Sequence, residues 1–283
     1  MPRFSEKIDC LKDAAKNRAE YAEIAQFFIS VYSFVENSGE NIGIKFKADS
    51  SKFSEKNREG LVLIEPADIE IEKDNLIKFV DGIIKTCAES GKAGIDELSK
   101  LSDVLPTQDI DFKAIFAAIL KRDRKVIEEF SAKYELSSPL VEYIFEIPLK
   151  AALENFVDKI TDNQETAEWH NSFCPVCGSR AGMSELSATE DGKRYLVCSS
   201  CNYKWSFKRL QCPYCGNEES ANLFYFTAGE DPSIRVDGCK KCSRYIKTRD
   251  NRVGNADIPL DIVDILTIHL DLLASKEGLE RGK

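Results

Sequence analysis

Residues 169–216 read WHNSFCPVCGSRAGMSELSATEDGKRYLVCSSCNYKWSFKRLQCPYCG, and this stretch decides the fold. It holds Cys174-Pro-Val-Cys177, Cys198-Ser-Ser-Cys201 and Cys212-Pro-Tyr-Cys215, and a fourth pair, Cys239-Lys-Lys-Cys242, follows. Twenty residues separate the first two pairs and 23 the last two, but only 10 lie between Cys201 and Cys212. That pattern describes one ribbon unit repeated in tandem. Four sulfurs held about 2.3 Å from a tetrahedral ion sit roughly 3.8 Å apart. Two residues in a tight turn bring a pair of sulfurs to that separation and aim both at one point. Gly178 and Gly216 follow the leading pairs. Glycine adopts the positive φ of such a turn and lets backbone N–H groups approach the thiolates. Asn202 and Ser243 stand at the equivalent positions of the other two pairs; asparagine tolerates the left-handed conformation and serine less well.

The eight cysteines Cys174, Cys177, Cys198, Cys201, Cys212, Cys215, Cys239 and Cys242 are therefore expected to hold two metal ions. Four thiolates suit zinc or a single iron equally. A ribbon of about 40 residues would hardly fold without such a staple. A thioredoxin-type dithiol would sit near a βαβ pattern, which is not visible here. His170 precedes the first pair and His269 lies on a helical stripe, so neither is expected to be a ligand. Of the two remaining cysteines, Cys87 continues an apolar helix face and reads as a small buried hydrophobe. Cys10, near a charged N-terminus, receives no role.

The chain has 283 residues, a length prior of about two domains. Its longest apolar run, Ala114 to Leu120, is far below the roughly 20 residues of a membrane-spanning helix. The first ten residues carry charges and no apolar core, so no secretory signal is read and a reducing cytoplasm is the expected setting. Residues 1–170 hold 23 basic and 33 acidic residues, whereas 171–252 hold 13 and 9. The net charge of -9 thus belongs to the first part, and the cysteine-rich part is mildly basic.

Before His170 the pattern is helical. Ile24, Phe27, Phe28, Val31, Phe34 and Val35 form a stripe within one helix over 5–36. Asn37–Pro66 is polar and reads as a long loop. Leu76, Phe79, Val80, Ile83, Ile84 and Cys87 form a second stripe, and Phe112, Ile115, Phe116, Ile119 and Leu120 a third. Ser137-Ser138-Pro139 is a start signal with a hydroxyl free to cap, and Pro148 should kink or split the helix that follows. No glycine-rich phosphate loop, GxSxG or HExxH is present, and no nucleophile–base pair is legible, so enzymatic activity is not expected. After Trp169, short β segments appear at 194–197, 223–226 and 245–248. A single helix over Asp257–Ser275 closes the chain, with Ile262, Ile265, Leu266, His269 and Leu273 on one face. The division expected is a helical domain 1–168, metal modules 169–210 and 211–252, and a C-terminal helix 253–283 packing on the body. The fold class is thus multidomain: a mainly α N-terminal region, two small tandem zinc-ribbon β modules and a C-terminal helix.

Trp169-x4-Cys174-Pro-Val-Cys177-Gly-Ser, then Arg194-Tyr-Leu-x-Cys198-x2-Cys201-x3-Trp205-x3-Arg209-x2-Cys212-x2-Cys215, then Gly238-Cys239-x2-Cys242-x-Arg244-Tyr245-Ile-Lys247 together resemble the FdhE family of formate dehydrogenase accessory proteins. The resemblance covers the C-terminal part; the helical part is similar in length and character only. It implies a cytoplasmic assembly factor that acts on the catalytic subunit of formate dehydrogenase, a molybdenum or tungsten enzyme often exported by the twin-arginine route. It also implies two rubredoxin-like modules binding iron or zinc through the eight cysteines, with Trp205 and Arg209 at the inter-module linker.

Three functions follow. A maturation chaperone would use aromatic and basic ribbon residues to hold its partner, here Tyr203, Trp205, Arg209, Arg244, Tyr245 and Lys247, with Tyr214 and Tyr225 nearby. The same aromatics would also serve to fill small ribbon cores. A redox or oxygen-sensing protein would use iron at the four-cysteine sites. A nucleic-acid-binding zinc ribbon would use the cluster of Lys240, Lys241, Arg244, Lys247, Arg249 and Arg252, but the acidic whole and the thiolate charge weigh against it. Membrane insertion is not expected, and a homodimer stays open.

Overall fold

The computed structural model describes residues 4–39, 41–160, 169–228, 231–254 and 258–282. The chain forms two compact units: residues 1–50 with 64–160, and residues 51–63 with 161–283. The expected boundary at 168/169 and the expected helix start at Asp257 fall on or beside residues outside those described.

The first unit is built by α1 (Phe4–Asn17), α2 (Ala22–Ser38) and β1 (Ile44–Phe46). The next helix, α3 (Phe53–Arg58), belongs to the second unit. The first unit then continues with β2 (Ile69–Ile71), α4 (Lys73–Ser90), α5 (Ile95–Thr107), α6 (Phe112–Lys121), α7 (Arg124–Tyr134) and α8 (Ser138–Val157). The stripe on α4 is buried at every expected position, from Leu76 to Cys87, and the five apolar positions of α6 are buried as well. Asp111 caps α6, its carboxylate accepting the Ala114 N–H at 2.9 Å. Phe112, Phe116 and Phe130 surround the ring of Phe145 on α8 at centroid distances of 6.0, 6.1 and 5.9 Å. The unit also holds a buried ion pair, Lys7 Nζ donating to Glu154 at 2.8 Å.

Four local expectations differ from this unit. The single helix over 5–36 is two helices, because Arg18 is extended (φ −137°, ψ 96°) and a 3₁₀ turn over Ala19–Tyr21 re-aims the chain. The long loop contains structure: β1 pairs antiparallel with β2, Ile44 opposite Ile71 and Phe46 opposite Ile69. Its buried anchors Ile42, Ile44 and Phe53 are too sparse to make a periodic signal. The Ser137 hydroxyl does not cap α8; it donates to Glu97 at 2.7 Å, and the Ser137 N–H donates to the same carboxylate. Finally, α8 runs unbroken through Pro148. The missing hydrogen bond is offset by packing, since Ile144, Phe145, Leu149, Ala151, Ala152 and Leu153 are all buried around it.

In the second unit the strands are β3 (Ala181–Leu186), β4 (Arg194–Cys198), β5 (Lys204–Phe207), β6 (Leu223–Thr227), β7 (Ile234–Cys239) and β8 (Arg244–Asp250). Then follow α9 (Leu260–Ile265), α10 (Ile268–Lys276) and β9 (Glu280–Arg281). Each ribbon is an antiparallel three-stranded meander. Parallel pairing of β3 with β8 (Met183 opposite Lys247, Leu186 opposite Asp250) joins the two into one sheet of order β5-β4-β3-β8-β7-β6. β9 pairs with β8 off that path. One face of the sheet is covered by α9 and α10 through Met183, Val236, Tyr245, Val263, Leu270 and Ala274. The fold is thus a helical N-terminal region, a β region bearing two four-cysteine clusters, and short C-terminal helices.

The C-terminal helix expected as one piece is two. The ammonium of Lys247 takes the carbonyls of Asp264 (2.8 Å) and Thr267 (3.4 Å), and the Thr267 hydroxyl takes that of Val263 (2.7 Å). These carbonyls are drawn to side chains where α9 ends and α10 begins, so the helix restarts in a new direction.

Candidate metal centres

The first cluster is Cys174, Cys177, Cys198 and Cys201, all buried. Its Sγ atoms lie 3.5 Å (Cys174–Cys201), 3.4 Å (Cys177–Cys198) and 3.6 Å (Cys177–Cys201) apart. The second is Cys212, Cys215, Cys239 and Cys242, with 3.7 Å between Cys212 and Cys242 and between Cys215 and Cys239. These separations match the roughly 3.8 Å of a tetrahedral tetrathiolate. Both clusters are therefore capable of binding a metal ion. Neither His170 nor His269 belongs to either group; His269 is half-buried on α10 and His170 is exposed.

Local sequence builds the two leading knuckles in the same way. Cys174 N–H donates to Ser179 O and Gly178 N–H to Cys174 O, at 2.8 and 3.0 Å. Cys212 N–H donates to Asn217 O and Gly216 N–H to Cys212 O at the same two distances. The residue after each pair has positive φ: Gly178 76°, Asn202 56°, Gly216 70° and Ser243 53°. Backbone N–H groups inside the knuckles also reach sulfur. Val176 N–H reaches Cys174 Sγ at 3.4 Å, and Ser200 N–H reaches Cys198 Sγ at 3.3 Å. Ser179 and Asn217 were not singled out from the sequence, although they follow the two knuckle glycines at matching positions. Residues 51–63 brace the first knuckle: Leu63 N–H donates to Pro175 O at 3.0 Å, and the Phe53 ring meets Tyr203 edge-on at 5.6 Å.

The electrostatics ask for a cation. Burial pushes the thiols of Cys174 and Cys201 well up. Burial acts on Cys177 too, but hydrogen bonds from Cys174, Cys198, Cys201 and Ser179 outweigh it and hold this thiol well below its ordinary value. In the second cluster burial raises Cys212 and Cys242. Cys215 is held down against burial by the Asn217 N–H and the neighbouring sulfurs. Burial that opposes ionisation of these thiols would be offset by a divalent cation shared among them. The two clusters differ in access: Cys215 is exposed and Cys242 half-buried, whereas the first cluster is closed.

Residues 173–209 match the family model described as FdhE, central domain. The chain is 37% identical over 145 residues to an FdhE homolog of Aquifex aeolicus, covering 50% of each chain. It is 33% identical over 119 residues to an FdhE homolog of Pseudomonas aeruginosa, covering 39% of this chain and 37% of that one. Over these residues the chain is similar to FdhE proteins. These matches span half or less of the relatives' own length. The fold is shared more widely than the sequence. The crystal structure of the FdhE protein from Pseudomonas aeruginosa superposes with a TM-score of 0.65 at 17% identity, covering 99% of this chain and 93% of that one.

The six residues read as partner contacts separate by burial. Trp205 is fully buried on β5, its Nε1–H donating to Asn171 O at 3.2 Å. It lies within the first ribbon rather than in a linker. Tyr245 is buried on β8 and donates to Asp271 at 2.7 Å. Lys247, 0% exposed, pairs with Asp264 and Asp271, both at 2.7 Å. Arg281 joins the same two carboxylates at 2.5 and 3.3 Å. The expectation of partner contact is corrected for these three: apolar packing and buried ion pairing turn them inward, where they hold β5, α9 and α10. Tyr203 and Arg244 are half-buried and Arg209 is exposed. Of the other tyrosines, Tyr214 is half-buried and Tyr225 exposed.

Proposed function

We propose that this chain is a cytoplasmic accessory factor for the assembly of formate dehydrogenase, acting by binding the catalytic subunit rather than by catalysis. The observation that carries the reading is the pair of four-cysteine clusters built on FdhE-type knuckles within an FdhE-like fold. Four sulfurs in each cluster could fill the coordination of a tetrahedral ion, which supports a structural rather than catalytic use of the sites. No helix among the described residues is long and apolar enough to cross a membrane. Arg209, Arg244 and Tyr203 are the proposed partner residues that remain accessible. The division into a helical domain to 168, modules 169–210 and 211–252, and a C-terminal region from 253 is kept as a proposal about how the chain is used.

The test is co-purification with the formate dehydrogenase catalytic subunit, comparing wild type with Cys174→Ser/Cys177→Ser. Capture by wild type supports the reading, and no capture by wild type overturns it. Undiminished capture by a folded double variant removes the first metal site from recognition. A second reading, a rubredoxin-like redox or oxygen-sensing protein, is favoured by ligand sets that suit iron as well as zinc. A reducible visible chromophore in freshly purified protein supports it; two zinc ions and no chromophore sink it.

A further inference from the structure

A cleft of about 250 Å³ lies in the second unit against the second cysteine cluster. Along β7, Ile234 and Val236 pack in the core beneath α9 and α10, so Arg235 and Asp237 point to the other side of the sheet. By the same alternation Tyr245 faces the helices, so Arg244 and Ile246 face away. The cleft lies on that second face, walled by segment 209–214.

Four guanidinium groups line it, Arg194, Arg209, Arg235 and Arg244, against one carboxylate, Asp237. Arg194 is 4% exposed and fixed by Ser184 Oγ at 2.8 Å and Gln211 O at 3.0 Å, so it is a permanent positive charge in the floor. Arg235 is held by Asp237 at 2.8 Å and stacks over the Tyr225 ring at 4.5 Å. Arg209 keeps one long hydrogen bond, to Asp191 O at 3.4 Å. The Arg244 side chain has no hydrogen-bond or ion-pair partner among the described residues. Thiolates around a divalent ion would add about -2 nearby, and the exposed Lys240 and Lys241 stand beside them. The accessible edge of the cleft is therefore cationic.

The rim is apolar: Leu210 is 66% exposed and Tyr225 63%. Exposed Leu and Tyr beside unpaired arginine is the composition of a protein contact rather than of a solvated face. Tyr225 sits on β6, the last strand of the sheet, so the cleft borders an edge along which extended chain can lie. A long polyanion is disfavoured by the net charge of -9.

We propose that this cleft docks an extended acidic peptide segment of the client polypeptide. Its carboxylates lie on Arg209 and Arg244, and an apolar or aromatic side chain lies between Leu210 and Tyr225. The proposal rests on the assembly-factor reading above and names the chemistry of its partner. The test probes overlapping short peptides tiled along the formate dehydrogenase catalytic subunit with the full-length, metal-loaded chain. Bound peptides should be acidic, and Gln/Asn versions of them should bind about tenfold more weakly. Arg209→Gln/Arg244→Gln and, separately, Tyr225→Ala should each lose about tenfold with metal content and circular dichroism unchanged. The cleft is overturned if no acidic peptide binds, if both variants bind as wild type does, or if inorganic phosphate displaces the peptide completely. Capture of the whole subunit separates the two ideas. Equal capture by wild type and both variants removes the cleft and leaves the assembly factor. No capture by wild type, with acidic peptides still bound through Arg244, removes the assembly factor and leaves the cleft.

Discussion

Gly178, Asn202, Gly216 and Ser243 occupy one structural position four times, with φ between 53° and 76°. A side chain there costs about 1–2 kcal/mol, less for asparagine. Gly216→Ala should therefore weaken the second site by about 1 kcal/mol, and Ser243→Gly should strengthen it by a similar amount. Chelator competition reads both directions. The sequence ranks these positions because φ preference is a property of the single residue. Cys87 is another residue whose behaviour follows from its surroundings: burial pushes its thiol up to about 11. It should resist iodoacetamide in the native chain and react only on unfolding, as mass spectrometry would register. Its helix stripe reads it as a small buried hydrophobe.

At the scale of elements, β8 and the C-terminal helices are tied by Lys247 and Arg281 to Asp264 and Asp271. Removing one member of such a buried network leaves charge uncompensated, at about 3–5 kcal/mol. Lys247→Met should lose stability of that order in urea unfolding, with faster hydrogen exchange in α9 and α10. A second tie is Glu185 on β3. Burial raises its carboxyl, but Arg249 at 2.6 Å and Lys204 at 3.2 Å outweigh that and lower it below the usual value. A depressed carboxylate contributes stability above the unfolded pKa of about 4.3 and loses it as pH falls through the folded value. Wild type should thus exceed Glu185→Gln in stability at neutral pH, and the difference should shrink as pH falls from about 4.3 through the lowered folded value. Acid release of metal is common to both and cancels in their difference. None of these ties was legible in the chain. Lys247 reads as an exposed ribbon cation until the fold brings two aspartates from a distant helix pair onto it.

For the whole molecule, the two cysteine clusters are carried by one sheet but not in one environment. Cys215 is exposed, while the first cluster is closed. Stepwise chelation should release the ion of the second cluster first, seen in native mass spectrometry as a one-ion species that retains the first site. Full removal should abolish the β structure of the second unit, whose ribbons are small, while helical dichroism from the first unit survives.

The cysteine spacing by itself determined two four-sulfur sites, because ligand geometry is set within a few residues of each knuckle. The stripes of α4 and α6 determined a helical region for the same local reason. Tertiary structure alone decided that β3 pairs in parallel with β8 and merges two modules into one sheet, since strand partners far apart in sequence leave no periodic mark. It also decided that Trp205, Tyr245 and Lys247 face inward while Arg209, Arg244 and Tyr225 stay accessible. Burial is a property of what packs against a residue, and that is known only once the helices have closed over one face of the sheet.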